Sequence, residues 1–162
     1  MSDARPALRL VTDTRVAVQP TRWFCGHCGA STDRTPLPTA RICGDCGLGL
    51  LLETRVDLAP GDGEAFMVVD RALTVQALSA SAEHLLAVPE AEVVNRPVTE
   101  LLVAAAVEAA GAEAFATVLL DAAGGDDEPR QVTVRPANVF GVRMTARIGV
   151  CGPPRAALLV LE

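Results

Sequence analysis

The chain has 162 residues, enough for one ordinary domain or for a small metal-stapled module followed by a domain of about 100 residues. Half of the residues are apolar but only 3% are aromatic, so the core has to be built from Leu, Val and Ala. The net charge of −6 is concentrated in residues 56–162, where fifteen acids outnumber seven Arg, and this part would repel a nucleic acid. No apolar run reaches the roughly 18 to 20 residues of a membrane span, and the N-terminus has no signal-peptide core. We therefore expect a cytoplasmic chain without membrane contact.

Residues 1–20 are polar and Arg-dotted without sustained periodicity, which predicts a tail that is at most partly ordered. Two C-x-x-C motifs follow, Cys25-Gly-His-Cys28 and Cys43-Gly-Asp-Cys46, and a glycine comes directly after each. In a reducing compartment, such closely paired cysteines are typical metal ligands rather than disulfides.

Two thiolates three positions apart can bind one ion from a single tight turn, whose amides can also hydrogen-bond to the sulfurs. Two such turns complete a closed tetrahedron with zinc–sulfur distances of about 2.3 Å, which leaves no position for a water molecule. We therefore predict one structural zinc ion, and its ligands are Cys25, Cys28, Cys43 and Cys46. Three other interpretations stay open: iron in the same thiolate cage, a pair of redox disulfides, and unpaired cysteines. His27, inside the first motif, is predicted to be an exposed turn residue.

Residues 21–57, which carry both motifs, resemble the zinc-ribbon family. The family implies metal binding but no single role, because zinc ribbons occur in nucleic-acid proteins, in protein-docking modules and as fold staples. The basic residues expected at the surface of this segment are Arg22, Arg34 and Arg41, too few for a stripe that binds phosphates.

Residues 58–63 (LAPGDG) are rich in turn formers and are predicted to be a linker between two domains. Beyond it, residues 65–70 and 73–79 predict a β-hairpin. Ser81 is predicted to cap a short helix, and Pro89 to begin a second. Thr99 precedes ELLVAAAVEAAG, whose apolar spacing predicts a helix over 100–111.

Residues 112–125 fit either a helix or a strand, and their alanine content favours a helix. Residues 130–136, 139–150 and 155–162 are three β-rich segments separated by turn residues. The order of two strands, several helices and three strands predicts an α+β fold, in which one antiparallel sheet carries its helices on one face.

Residues 64–162 resemble a PAS domain, the sensory and interaction fold of many signalling proteins. The resemblance lies in three stretches, 68–70 (VVD), 79–86 (SASAEHLL) and 95–101 (NRPVTEL). Ser79 stands where many PAS sequences have Asn, and Asn95 where they have Gly, and both substitutes suit caps and turns. The resemblance implies a module that mediates protein contacts and often forms homodimers through the outer face of its sheet or an N-terminal extension.

The PAS resemblance also sets expectations about ligands. A flavin photoreceptor would need a cysteine near residues 88–96, and a haem-binding member an axial histidine within 99–110; neither is present, so no haem or flavin is expected. His84 is predicted to face solvent, and Cys151 to be an incidental thiol. A pocket for a small apolar ligand between helices and sheet stays open, although a filled core is favoured.

No catalytic motif is present: there is no phosphate-binding loop, no G-x-S-x-G and no Ser/His/Asp set. The GGDDE stretch at 124–128 is superficially similar to the GGDEF signature of diguanylate cyclases, but the chain is too short for such a domain. We expect a non-enzymatic signalling or regulatory protein in which a zinc ribbon and a PAS domain mediate protein contacts, with small-ligand sensing as a further option. The alternatives are a transcription-associated DNA binder that uses its Arg-bearing ribbon and a rubredoxin-like iron electron carrier.

Overall fold

The computed structural model of the protein describes residues 19–105, 109–139 and 141–162. The tail predicted over residues 1–20 therefore lies almost entirely outside the described residues. The segment that resembles a zinc ribbon contributes three strands, which are β1 (Thr21–Cys25), β2 (Ser31–Thr32) and β3 (Leu51–Arg55).

The remaining elements follow the predicted order of a hairpin, helices and three further strands. The hairpin consists of β4 (Ala65–Val69) and β5 (Val75–Leu78). It is followed by α1 (Ala80–Leu86), α2 (Glu90–Val93), a 3₁₀ turn (Val98–Glu100), β6 (Leu102–Ala104) and α3 (Ala109–Gly124). The last three strands are β7 (Arg130–Pro136), β8 (Met144–Gly152) and β9 (Ala156–Leu161). The expected α+β class is confirmed, with more sheet than helix.

The sequence predicts Ser81 as the cap of α1, and this prediction is wrong, because the cap is Ser79. The Ser79 hydroxyl accepts hydrogen bonds from the backbone amides of Ala82 at 3.2 Å and Phe66 at 2.9 Å. Helix α1 begins directly after the hairpin because this one buried side chain satisfies an amide of the helix and an amide of β4 together.

The helix predicted over residues 100–111 is wrong at its start, and it does not end at Gly111, because α3 (Ala109–Gly124) continues through that residue. Residues Leu102–Ala104 form the short strand β6, which pairs with β7 from Leu102 opposite Pro136 to Ala104 opposite Val134. Pairing with an existing sheet edge and the complete burial of Leu102 outweigh the helical propensity of the Ala-rich run. Residues 106–108 lie outside the described ranges. Over 112–125 the choice of a helix is confirmed, because α3 covers all but the last of these residues.

Nine strands in the described ranges form one sheet, in which every pairing is antiparallel. Its order is β2-β1-β3-β8-β9-β4-β5, and β7 lies beside the first half of β8 with β6 outside it. The end of β8 pairs with β3 instead: Gly152 lies opposite Glu53 and Cys151 opposite Thr54. The backbone hydrogen bonding of the sheet is therefore continuous from the cysteine-bearing segment to the rest of the chain.

The central strands β4 and β9 are buried on both faces. One face carries a group of buried apolar side chains, which we call the inner cluster. It includes Met67, Val69 and Leu159 of the sheet together with Phe115 and Leu119 of α3. Helices on one face of the sheet are thus confirmed.

The other face of the same strands carries the outer cluster, and the cysteine-bearing segment packs on it. The members of the outer cluster are Phe24, Leu52, Leu58, Phe66, Val68, Cys151, Ala156, Leu158 and Val160. Leu58, within the stretch predicted to be a linker, is only 1% exposed. None of the helices in the described ranges combines the length and apolar character that crossing a bilayer requires.

Candidate metal centre

The four predicted ligands converge at one point. Their sulfur atoms all lie within 4.8 Å of one another, with Cys25 Sγ 3.7 Å from Cys46 Sγ and Cys28 Sγ 3.9 Å from Cys43 Sγ. A tetrahedral ion with sulfur bonds of about 2.3 Å requires sulfur–sulfur separations of about 3.8 Å. The four cysteines can therefore hold one metal ion, as predicted for a zinc ribbon.

Each C-x-x-C motif forms a tight turn that ends at its glycine. The Gly29 amide donates to the Cys25 carbonyl at 3.0 Å, and the Gly47 amide donates to the Cys43 carbonyl at 3.0 Å. Both glycines have positive φ, +78° at Gly29 and +68° at Gly47, a conformation that costs glycine nothing. The local sequence thus places the two cysteines of each motif on the same side of a turn.

Backbone amides point at two of the sulfurs. The amides of His27 and Cys28 each lie 3.4 Å from Cys25 Sγ, and the Gly49 amide lies 3.4 Å from Cys46 Sγ. Such amides stabilise negative charge on sulfur, which a metal-bound thiolate needs.

Gly49 is a residue of the site that the sequence reasoning missed. A Cβ atom at this position would lie 2.2 Å from Cys25 Sγ and 2.8 Å from His27 Cβ, so only glycine fits between the two turns. The signal was present in the sequence, because a second glycine follows Gly47 two residues later.

The thiols differ in how readily they ionise. Burial raises the pKa of Cys25 to about 12, whereas the amides of Gly49 and Leu48 lower the pKa of Cys46 to about 6. Burial also raises the pKa of Cys28. A cation at the centre of the four sulfurs would favour the thiolate form of all of them, so metal binding and proton release are coupled here.

His27 is not the exposed turn residue that the sequence predicts. Its side chain is 39% exposed, and its Nδ1 lies 3.3 Å from Oε2 of Glu90, the first residue of α2. The other carboxylate oxygen of Glu90 accepts a hydrogen bond from the Leu78 amide at 2.9 Å. The first C-x-x-C turn therefore contacts helix α2, which is remote in sequence.

His84 and Cys151 lie apart from the metal centre. His84 is exposed, as predicted, and its Nδ1 is 2.7 Å from the Ala80 carbonyl oxygen. Cys151 is buried in the outer cluster, and burial raises the pKa of its thiol to about 12, so it stays a neutral core group at physiological pH.

Two of the three arginines in the metal-binding segment that could contact phosphates are hydrogen-bonded to other residues of the protein. Arg22 Nε donates to Asp33 Oδ1 at 3.0 Å, and Arg41 donates to the Pro153 carbonyl oxygen. Arg34 is exposed. Hydrogen bonds within the protein thus hold the side chains of Arg22 and Arg41.

The metal-binding segment is joined to the rest of the sheet by side chains as well as by backbone pairing. The rings of Phe24 and Phe66 meet edge to face, with centroids 5.7 Å apart and an interplanar angle of 89°. The Thr54 hydroxyl donates to the Val150 carbonyl at 2.8 Å, and Arg55 donates to the Asp127 carbonyl at 3.0 Å. The contact combines apolar packing from β1 with hydrogen bonds from β3.

No protein-family model matches the sequence, and no curated protein is significantly similar to it.

Proposed function

We propose that this is a non-enzymatic signalling or regulatory protein, in which a structural zinc ribbon and a PAS domain together form a surface for protein contacts. The observation that supports the proposal most directly is how the metal-binding segment joins the rest of the protein. Its strand β3 extends the sheet by pairing with β8, and its side chains Phe24 and Leu52 belong to the outer cluster. A metal that shapes this segment thereby shapes the surface of the whole protein.

Zinc is the ion we assign to the four cysteines. A closed set of four thiolates leaves no open coordination position, which suits a structural ion rather than a catalytic one. Iron would accept the same tetrahedral sulfur ligands, but its complex would be coloured and redox-active. Elemental analysis distinguishes the two.

The backbone supports the PAS assignment at the residues that carry the resemblance. Asp70, at the end of β4, accepts hydrogen bonds from the amides of Ala72 at 2.8 Å and Thr74 at 3.0 Å, and so closes the hairpin turn. Asn95, which stands where PAS sequences have Gly, has φ of +67°, a conformation that Gly adopts freely and Asn more often than other residues. Ser79 performs the capping role of the Asn it replaces. Both departures from the family pattern thus keep the expected local structure.

The metal-binding segment also exposes apolar side chains. Leu37, Ile42 and Leu48 are 70%, 60% and 74% exposed, respectively. Exposed apolar side chains on a small metal-stapled module are typical of protein contact surfaces. We propose that a second copy of the chain packs against the metal-binding segment and forms a homodimer.

Light scattering on the full zinc-loaded chain tests this proposal. We expect a concentration-dependent dimer, and we expect Ile42→Asp to shift it to monomer because a buried charge at the contact is costly. Leu120→Asp, at an exposed position on α3, is the matched control and should leave the dimer intact. A chain that stays monomeric at high concentration would refute the homodimer. A salt-dependent change in the electrophoretic mobility of duplex DNA on adding the protein would favour the DNA-binding alternative instead.

A further inference from the structure

A cavity of about 600 Å³ lies between the first C-x-x-C turn and β3 on one side and the outer face of β4 and β5 on the other. We call it the joint cavity. Its volume is in the range of small-molecule sites, about 300 to 1,000 Å³. Its apolar wall includes Leu52, Val68 and Ala156, which all belong to the outer cluster. Its apolar wall lies on the outer face of the sheet, and Glu90 of α2 is part of its lining. It is therefore a different place from the space between helices and sheet, where the sequence leaves a ligand pocket open.

The polar side of the joint cavity is rich in hydrogen-bond acceptors. It carries two carboxylates, Asp70 and Glu90, together with His27 and Gln76. The Gln76 amide nitrogen already donates to Asp70 Oδ2 at 2.9 Å, and His27 Nδ1 lies 3.3 Å from Glu90 Oε2. A carboxylate offers about four lone-pair sites. Asp70 already accepts four hydrogen bonds, from the amides of Ala72 and Thr74, the Thr74 hydroxyl and the Gln76 side chain, whereas Glu90 accepts from the Leu78 amide and contacts His27. Glu90 is therefore the carboxylate that can accept a further donor.

The carboxylates are only partly balanced by positive charge. Arg155 lines the cavity, but its Nη1 donates to the carbonyl of Gly124 at 3.3 Å, and Gly124 is not part of the cavity wall. Although partial burial opposes ionisation of Asp70, hydrogen bonds from Thr74 and Ala72 hold its pKa below the usual value. The polar side therefore presents negative charge at neutral pH, which favours a cation and disfavours an anion.

We propose that the joint cavity binds a small amphipathic amine, with its apolar body against Leu52, Val68 and Ala156 and its ammonium group hydrogen-bonded to Glu90. Asp70 adds negative charge to the same wall. The inference rests on the proposed function, for which it names the ligand class and the site. Because Glu90 lies on α2 and His27 in the metal-binding turn, such a ligand contacts both parts of the molecule. Its binding would therefore stabilise the packing of the zinc ribbon on the sheet.

Two probes with the same ring and opposite charge test the proposal. Titration calorimetry on the zinc-loaded full chain would compare tryptamine with indole-3-propionate, and we expect tryptamine to bind at least about tenfold more tightly. Glu90→Gln removes one charge and should weaken tryptamine roughly tenfold to a hundredfold. Glu92→Gln, an exposed residue of the same helix outside the cavity wall, is the matched control and should leave binding unchanged.

A second variant keeps the test independent of the His27–Glu90 contact. Ala77 lines the cavity from the edge strand β5, so Ala77→Phe should fill the space and abolish binding while thermal unfolding shows the variant to be folded. Equal affinity for both probes, no binding of tryptamine by the folded protein, or full binding by both variants would overturn the proposal. Light scattering on the same samples separates the two claims. If the protein is a dimer but does not bind tryptamine, only the proposed ligand site is contradicted. If the protein is a monomer and binds tryptamine, only the proposed homodimer is contradicted.

Discussion

Replacing Phe24 by Ala tests whether the proposed zinc ribbon, residues 21–57, and the rest of the sheet fold as one unit. The Phe24 ring is fully buried, and it meets the ring of Phe66, itself 1% exposed, edge to face at 5.7 Å. Truncating a buried Phe to Ala costs about 3 to 5 kcal/mol, a range that includes loss of an aromatic pair worth about 0.5 to 1.5 kcal/mol. We therefore expect Phe24→Ala to lower the free energy of unfolding of the whole chain by about 4 kcal/mol.

Urea unfolding of the zinc-loaded protein provides the assay, with two probes of different reach. Trp23 is the only tryptophan of the chain and is 8% exposed on β1, so its fluorescence reports on the ribbon. Far-UV circular dichroism reports on the whole sheet. In Phe24→Ala we expect both transitions to shift together to a lower urea concentration. Phe24→Leu, which keeps most of the apolar volume, should cost less, and Leu120→Ala, at an exposed position, should change the free energy by no more than about 0.5 kcal/mol.

The reasoning would be refuted if the two probes separated. A fluorescence transition that moves while the circular dichroism transition keeps the wild-type midpoint would show that the ribbon unfolds as an independent module. The shared outer cluster and the pairing of β3 with β8 would then contribute little to stability.

Three further predictions follow from single contacts. Gly49→Ala should abolish stoichiometric metal binding, because the added Cβ would lie 2.2 Å from Cys25 Sγ. Elemental analysis measures the metal content. The control is Gly44→Ala, where nothing lies within 4 Å of the added atom, and this variant should retain the metal. Ser79→Ala leaves two backbone amides without their acceptor and should lower the free energy of unfolding by about 1 to 3 kcal/mol in urea titrations, so an unchanged midpoint would contradict the assigned cap. The pKa of Asp70 is lowered from 3.8, so its ionised form stabilises the fold fully above that pH and loses the effect as the pH falls through the folded pKa. The stability advantage of wild type over Asp70→Asn should therefore be constant near neutral pH and shrink in acid, and a pH-independent difference would refute it.

The parts of the molecule that sequence reasoning reached are those fixed by local chemistry. The two C-x-x-C motifs carry their own turn geometry in the glycines that follow them, so the ligand set could be predicted without the fold. The hairpin and the last three strands are bounded by turn residues and were predicted for the same reason.

The parts that were missed depend on contacts between remote residues. Strand β6 lies in an Ala-rich run that favours a helix, and only its pairing with β7 makes it a strand. The contact between His27 and Glu90 joins the first C-x-x-C turn to helix α2, which is remote in sequence, and no local pattern indicates it.

The packing of the ribbon on the sheet did leave a signal. Strands β4 (AFMVV) and β9 (AALLVL) are apolar at every position, whereas a strand with one solvated face alternates apolar and polar residues. Unbroken apolar strands imply that both faces of the sheet are covered, and the helices account for only one. The sequence could not show which segment covers the second face.

The central claim is that Cys25, Cys28, Cys43 and Cys46 hold one structural zinc ion that shapes the ribbon. Native mass spectrometry combined with elemental analysis, on full-length protein purified without added metal, tests it most directly. We predict one zinc per chain, lost only together with the folded state of the ribbon as reported by Trp23 fluorescence. A folded protein that contains iron, or that keeps its native fluorescence with no metal bound, would contradict the claim.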